Sequence, residues 1–498
     1  MDSYRSLEQK FARLGAINDV IGVLNWDTET TMPDGAADSR SEQLSTLEGM
    51  AHGLLAAAET GELLQRAEET ADALDDWQSA NLREMRRAYL HAAAVPEDLV
   101  EANSRAVSRS VMAWRQARKA SDFAAMLPYL AEVLDLQRQI GAIKGEALGL
   151  SPYDALLDGY EPGMRQAKID GLFAALRAEL PGLIQAAQAR QQSLPSVQAL
   201  TGPFPIDSQR RLGERLMTAV GFDFDRGRLD VSLHPFCGGA TDDVRITSRY
   251  NEDRFISGLM GVLHETGHAL YEQGRPAAWR RQPVGSARGM ALHESQSLLI
   301  EMQACRSRAF TEFLAPLLRE AFQCEGPAWS AENLYRHLTA VKPGLIRVDA
   351  DEVTYPAHVL LRYDLEKALI GGDLRLADLP AAFNEGMKEL LGLDVPNDGL
   401  GCLQDIHWPG GSWGYFPTYT LGAMAAAQLF DAAGRADPEI PLAIGRGDFE
   451  PLRSWLRINV HAKGSLLEMD ELLIAATGQP LSAETFQKHI STRYLGDS

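Results

Sequence analysis

Residues 251–274 read NEDRFISGLMGVLHETGHALYEQG. Their spacing predicts one helix, about 33 Å long at 1.5 Å per residue, with Asn251 as its cap and Gly274 as its stop. Ile256, Met260, His264 and His268 recur every four residues and so share one face. The apolar pair on that face predicts that it is buried. Two imidazoles turned into an apolar interior need polar partners, and one shared cation serves both. Glu265 projects to one side, where it can take a proton from a water held by that cation. Gly267 lies in the helix interior, where glycine costs about 1 kcal/mol relative to alanine. Close approach of another backbone accounts for it; so does a merely tolerated glycine.

HExxH alone also occurs by chance on core helices, so a third protein ligand is required, because catalytic zinc usually has three and an open position. The next helical pattern, Arg288 to Phe310, offers Glu294 on one face with Ala291 and Leu298. An unpaired carboxylate there would be expensive. Gly274, Pro276, Pro283 and Gly285 let the chain reverse between the two patterns. The prediction is a pair of antiparallel helices that converge His264, His268 and Glu294 on one ion. The structural alternative makes the histidines satisfied core groups and Glu294 a surface residue.

Outward from these helices, the first ~200 residues read as successive helices, with Leu7, Phe11, Leu14, Ile17, Ile21 and Leu24 forming one apolar stripe. A turn follows at Met32-Pro33-Asp34-Gly35, and Pro96-Glu97-Asp98 marks a helix start. Pro195, Gly202, Pro203 and Pro205 then break the pattern. Leu229–Leu233 and Val244–Thr247 alternate apolar and polar side chains, which predicts two short strands joined through Gly238-Gly239. Helical patterns resume near Glu252 and are interrupted by an aromatic, glycine-rich loop from Val395 to Thr420. Neither a fixed-period repeat nor a low-complexity linker divides the chain. The expected fold is mainly α, with a small β-hairpin or sheet next to the metal helix. It forms a single unit over 1–498, with a helical lobe over about 1–195 and the metal and substrate segments over about 196–498.

The 498 residues are 45% hydrophobic and 23% charged, enough for a sizeable core. Against 48 basic residues stand 68 acidic ones, a formal net charge of -20, which repels phosphate backbones and anionic lipid and argues against nucleic-acid and membrane partners. No stretch approaches the ~20 apolar residues that cross a bilayer. Cys237, Cys305, Cys324 and Cys402 are scattered and form no C-x-x-C pair. The opening Met1-Asp2-Ser3-Tyr4-Arg5 leads into an amphipathic pattern with no apolar signal core. The expected location is the cytoplasm.

Further clusters bear on substrate: His234-Pro235-Phe236, Asp243-Val244-Arg245-Ile246-Thr247, Ile346-Arg347-Val348-Asp349-Ala350-Asp351, and Gly401-Cys402-Leu403-Gln404-Asp405-Ile406-His407-Trp408, which leads to Gly414-Tyr415-Phe416-Pro417. Singly they are weak, since an Arg-Asp alternation is usually a structural salt bridge and an aromatic loop often only packs. Together with HETGH at 264–268 and HESQS at 293–297, six motifs in order resemble the thermostable carboxypeptidase family typified by carboxypeptidase Taq. The likeness runs from Asn25-Trp26-Asp27 and Met32-Pro33 to Gly422.

That resemblance implies a two-lobed helical body with a deep active-site groove, similar to the neurolysin architecture. It also implies a homodimer that releases single residues from the free C-termini of peptides with broad preference. By the matching motifs it implies His264, His268 and Glu294 as ligands of one zinc per subunit, Glu265 as general base, and Arg347 as the arginine that holds the substrate's terminal carboxylate. Cobalt or manganese also suits such a site. Where relatives carry arginine, tryptophan and asparagine after the 293–297 motif, this chain has Leu298, Ile300 and Met302, so the support behind Glu294 is expected to differ. Arg245, His234 and Gln404 are further candidates for substrate binding, with a pair to Asp243 as the alternative for Arg245. Tyr415, then His407, are the candidate donors to a developing oxyanion, with simple packing as the alternative for Tyr415. Two other functions fit the same residues: a zinc oligopeptidase that cuts internal bonds, and a non-catalytic helical scaffold with a vestigial motif.

Overall fold

The apolar stripe near the N-terminus lies on a helix that runs Asp2–Thr30. Its Tyr4, Leu7 and Phe11 pack on Leu64, Ala67, Leu82 and Met85 from the helices Ala58–Glu68 and Asp76–Ala93, which makes a small core of its own. A far larger core draws on residues from Val95 to Tyr494. The small apolar centre thus takes residues before 94 and the large one residues after it. The proline-rich stretch at 194–205 is a connection between helices of the same large core. The computed structural model describes residues 2–496; Met1, Asp497 and Ser498 lie outside it.

Strands β1 (Gly227–Val231), β2 (Cys237–Ala240) and β3 (Asp243–Ser248) form one sheet in the order β1-β3-β2. The two stretches read as strands from their alternation do pair, but in parallel, with Leu229 opposite Ile246. Gly238 and Gly239 are not the joint between them. They belong to β2, which pairs antiparallel with β3 and turns at Thr241-Asp242. Gly239 is left-handed at φ 99°, and a side chain there would meet the Asp243 carbonyl at 2.2 Å. Alternation identifies a strand but carries nothing about its partner. Leu229, Val244 and Ile246 pack against Val262 and Ala269 of the metal helix. The guanidinium groups of Arg228 and Arg245 stack on Trp26 at 5.0 and 4.2 Å.

The metal helix runs Phe255–Gly274, starting four residues later than Asn251. Asn251 instead closes a local turn, its side chain accepting from the Asp253 amide at 2.7 Å. The pattern from Arg288 to Phe310 is not one helix. It divides into an α-helix Gly289–Leu298, a wider π turn Leu299–Ala304, and a separate helix Arg308–Phe322 capped by Ser307. The run Leu299-Ile300-Glu301-Met302 is apolar on most sides, so its periodicity does not reveal the change of winding. The helix Pro417–Ala436 lies along Gly289–Leu298, with Gly422 against Glu294. No described helix is long and apolar enough to cross a membrane.

Candidate active site

His264 and His268 stand one turn apart on the metal helix, and Glu294 comes from the neighbouring antiparallel helix. Glu294 Oε2 lies 3.3 Å from His268 Nε2 and 3.9 Å from His264 Nε2. One ligand atom from each of the three lies within 4.8 Å of the others. Glycine makes this approach possible at two contacts. A side chain at Gly267 would overlap the Gln296 carbonyl, and one at Gly422 would meet Glu294 Cβ at 2.9 Å. The close backbone approach read from Gly267 is thus present.

The other ring nitrogen of each histidine is engaged. His264 Nδ1 is 3.0 Å from Glu301 Oε2, and Glu301 Oε1 accepts from Arg306 at 2.6 Å. His268 Nδ1 is 3.1 Å from the His293 carbonyl and 2.7 Å from His293 Nδ1, while His293 Nε2 is 3.0 Å from Glu272. Hydrogens on both Nδ1 atoms satisfy these contacts and leave both Nε2 lone pairs directed at Glu294, the arrangement that metal-ligating histidines adopt.

The charges around these groups favour a cation. Burial alone would push His264 down, but the carboxylates of Glu294, Glu301 and Glu265 lift it to about 10. His268 is held down to about 4, chiefly by burial. Burial would raise Glu294, yet His264 and His268 hold it at about 2. Glu294 is therefore an ionised oxygen donor and His268 a neutral nitrogen donor at neutral pH, and the excess negative charge at His264 is what a divalent ion neutralises in place of a proton. Two imidazoles and one carboxylate fit a first-row divalent ion. Glu265 is 7% exposed, and burial, reinforced by Glu294 and Glu301, pushes it up to about 7.

A second cluster borders the first. Buried Arg347 donates to Asp405 Oδ1 through Nε (2.9 Å) and Nη2 (2.8 Å), and to the Tyr355 hydroxyl through Nη1 (2.7 Å). Asp405 also accepts from Arg362 Nε at 2.6 Å, and the two arginines hold its carboxyl well below the usual carboxylate range. The Tyr419 and Phe416 rings cover the Arg347 guanidinium. His407 Nε2 meets the Tyr419 hydroxyl at 3.0 Å, and burial pushes His407 down to about 3. Tyr355, Tyr415 and Tyr419 are each raised, first by burial, with the Glu294 charge contributing.

The structure thus gathers His264, Glu265, His268 and Glu294 at one point and Arg347, His407 and Tyr415 next to it. Gln404 is nearby but fully engaged: its oxygen accepts from the Arg347 amide at 2.8 Å and its nitrogen donates to the Leu345, Leu400 and Gly401 carbonyls. It braces the Arg347 backbone. Arg245 pairs with Asp243 through two bonds and stacks on Trp26, the structural alternative for that residue. The ring of His234 has no hydrogen-bond or ion-pair partner among the described residues; only its carbonyl accepts, from the Ser232 and Thr247 hydroxyls. Leu298 and Ile300 turn into the large core and Met302 packs on it, so the departures alter packing and not the ligand set. Sequence reasoning missed Glu301, Glu272, Tyr355 and Tyr419. Glu301 carried a signal, as a lone acid inside an apolar run. Tyr419 carried another, one helical turn beyond Tyr415.

The carboxypeptidase Taq (M32) metallopeptidase family matches residues 6–494. Thermostable carboxypeptidase 1 of Thermus thermophilus is 40% identical over 484 residues, 94% of either chain. Among solved structures, Trypanosoma cruzi metallocarboxypeptidase 1 superposes with a TM-score of 0.97 at 42% identity over 99% of both chains. An M32 carboxypeptidase from Deinococcus radiodurans R1 superposes with a TM-score of 0.93 at 36% identity, again over 99% of both. With the motif order and the donor set in agreement, the chain belongs to the carboxypeptidase Taq (M32) metallopeptidases and is a metallocarboxypeptidase.

Proposed function

We propose that this enzyme is zinc-dependent and removes single residues from the free C-termini of peptides with broad preference, using Glu265 as its general base. The observation that carries the proposal is the convergence of His264, His268 and Glu294 beside Glu265. Two nitrogens and one oxygen with an open fourth position is the usual donor set of catalytic zinc. When bound, the ion supplies Lewis acidity to the scissile carbonyl and to water. Glu265, poised at about 7, accepts the proton of the attacking water and passes it to the leaving amine. Tyr415 is the first candidate to donate to the developing oxyanion. The second is His407: with Nε2 accepting from Tyr419, its hydrogen resides on Nδ1, which is buried without a partner.

Selectivity for a free terminus follows from Arg347. Asp405 and Tyr355 engage three of its five N–H groups, which leaves two for a substrate carboxylate. The same reading makes 1–498 one catalytic unit with one ion per subunit. It carries a homodimer from the family resemblance and a cytoplasmic location from the unpaired cysteines.

The test is a panel of short peptides, free and amidated at the C-terminus, assayed with and without chelator and after zinc, cobalt or manganese is restored. Single residues should leave free-acid peptides only, chelator should stop the reaction, and zinc should restore it. Equal cleavage of amidated peptides would make the enzyme an oligopeptidase. Protein that never holds metal and is not rescued by it would be a scaffold.

A further inference from the structure

The turn Leu299–Ala304 is wound as a π-helix, a form that is rare and concentrated at functional sites. It carries Glu301, whose carboxylate orients His264 through Nδ1. A helical end leaves carbonyls without internal partners, and here they end a largely buried turn. The Ile300 carbonyl is taken by the Cys305 amide at 2.9 Å, and the Ala304 carbonyl by Ser307. Of the three between them, those of Met302 and Gln303 accept from a single guanidinium, that of Arg493, at 2.9 Å for Gln303. Arg493 comes from the far end of the chain, on the turn Ser491–Leu495.

Arg493 is itself fixed. Its side chain is 9% exposed and pairs at 3.0 Å with Glu352, which is 3% exposed. Glu352 also accepts from His489 (2.8 Å), the Tyr494 hydroxyl (2.7 Å) and Gln303 Nε2 (3.2 Å). The C-terminal turn and the segment that follows Arg347 are therefore tied to the same π turn by one buried charge network.

We propose that Arg493 is a positioning residue for the metal centre: it caps the π turn and holds Glu301 in the register that orients His264. The proposal rests on the reading of His264, His268 and Glu294 as the metal site. Without the guanidinium these two carbonyls lose their donor, and rewinding the turn to recover one would carry Glu301 away from His264.

Zinc affinity of the full-length protein, measured by competition with a chromophoric chelator well below the unfolding temperature, tests it in wild type, Arg493→Ala, Arg493→Lys, Glu301→Gln and the Arg493→Ala/Glu301→Gln double variant. Loss of such an outer partner weakens metal binding by about 10–100-fold, and that range is expected for Glu301→Gln and for Arg493→Ala. The double variant should bind zinc no more weakly than the poorer single, because both act through one contact. Lysine offers one nitrogen where the guanidinium sets two, so Arg493→Lys should also lose affinity, which keeps the test decisive if the alanine variant fails to fold. Zinc affinity of Arg493→Ala, or of Arg493→Lys where alanine does not fold, within about two-fold of wild type with only a lower Tm would leave Arg493 a structural residue and overturn the proposal. So would losses that multiply in the double variant. Wild-type protein that binds no zinc, or a His264→Ala variant that binds it unchanged, would instead overturn the metal-site reading, and the proposal with it.

Discussion

A β-carbon added to Gly267 would lie 2.3 Å from the carbonyl oxygen of Gln296 and 2.6 Å from the Cα of Ser297. Gly267 stands between His264 and His268, and Gln296 stands two residues beyond Glu294. The missing side chain therefore sets the distance between the two halves of the metal site. Gly267→Ala should drive the helices apart, lower Tm by several degrees and strip zinc from the purified protein. Gly261, on the same helix with nothing within 4 Å of its missing side chain, is the control. Gly261→Ala should stabilise by about 1 kcal/mol with full zinc content. Thermal unfolding and metal analysis of both variants decide the matter; wild-type Tm and zinc in Gly267→Ala would refute the spacing argument.

Glu265→Gln keeps the shape of the side chain and removes its capacity to accept a proton. Turnover should fall by about 10²–10⁴-fold while zinc content stays at the wild-type level. Peptide hydrolysis by the variant at a rate comparable with wild type would remove Glu265 from the mechanism.

Arg347→Ala is expected to act on substrate and on the fold together. From the sequence alone the expectation is damage to cleavage of free-acid peptides far beyond damage to folding. The structure instead embeds Arg347 in a buried network with Asp405, Arg362 and Tyr355. Breaking a buried pair costs about 3–5 kcal/mol, and because Asp405 keeps Arg362 the lower end is expected. The ratio of kcat/KM for free-acid over amidated peptides should collapse toward one. Preserved discrimination in a folded Arg347→Ala protein would place carboxylate recognition elsewhere.

Glu366 gives the stability a pH dependence of defined sign. Burial lifts it to about 8 although Trp408, Tyr153 and the Gly414 amide all donate to its carboxyl. In the unfolded chain a glutamate titrates near ~4.3. The folded state therefore holds the proton more tightly, so the stabilisation is complete below ~4.3 and is lost as pH rises toward 8. Urea midpoints at pH 5, 6.5 and 8 should fall less steeply in Glu366→Gln than in wild type. Parallel curves for the two proteins would show that Glu366 does not titrate in this window.

Much of the site was legible from local rules. The four-residue step from His264 to His268 follows from the pitch of a helix, and an acid at 294 on an apolar face demands a partner whatever the surrounding fold. Gly267 announced a close approach without naming what approaches. Short strands showed in their alternation, but Leu229 and Ile246 are parallel partners, and Gly238 and Gly239 form a strand of their own. Arg245 takes the pairing with Asp243 that the sequence already offered, with Trp26 beneath it, and Gln404 is taken up by backbone groups.

The amino-acid order by itself determined which residues could ligate a metal and which helices present them, because helical periodicity and the need to satisfy buried polar groups operate over a few residues. Only the tertiary structure decided what stands behind them: Glu301 on a π turn, His293 and Glu272 behind His268, Tyr355 and Tyr419 around Arg347, and Arg493 reaching back from the far end of the chain. Those contacts join residues remote in sequence, and the free energy that selects them resides in the packing of the whole core, which no local pattern encodes.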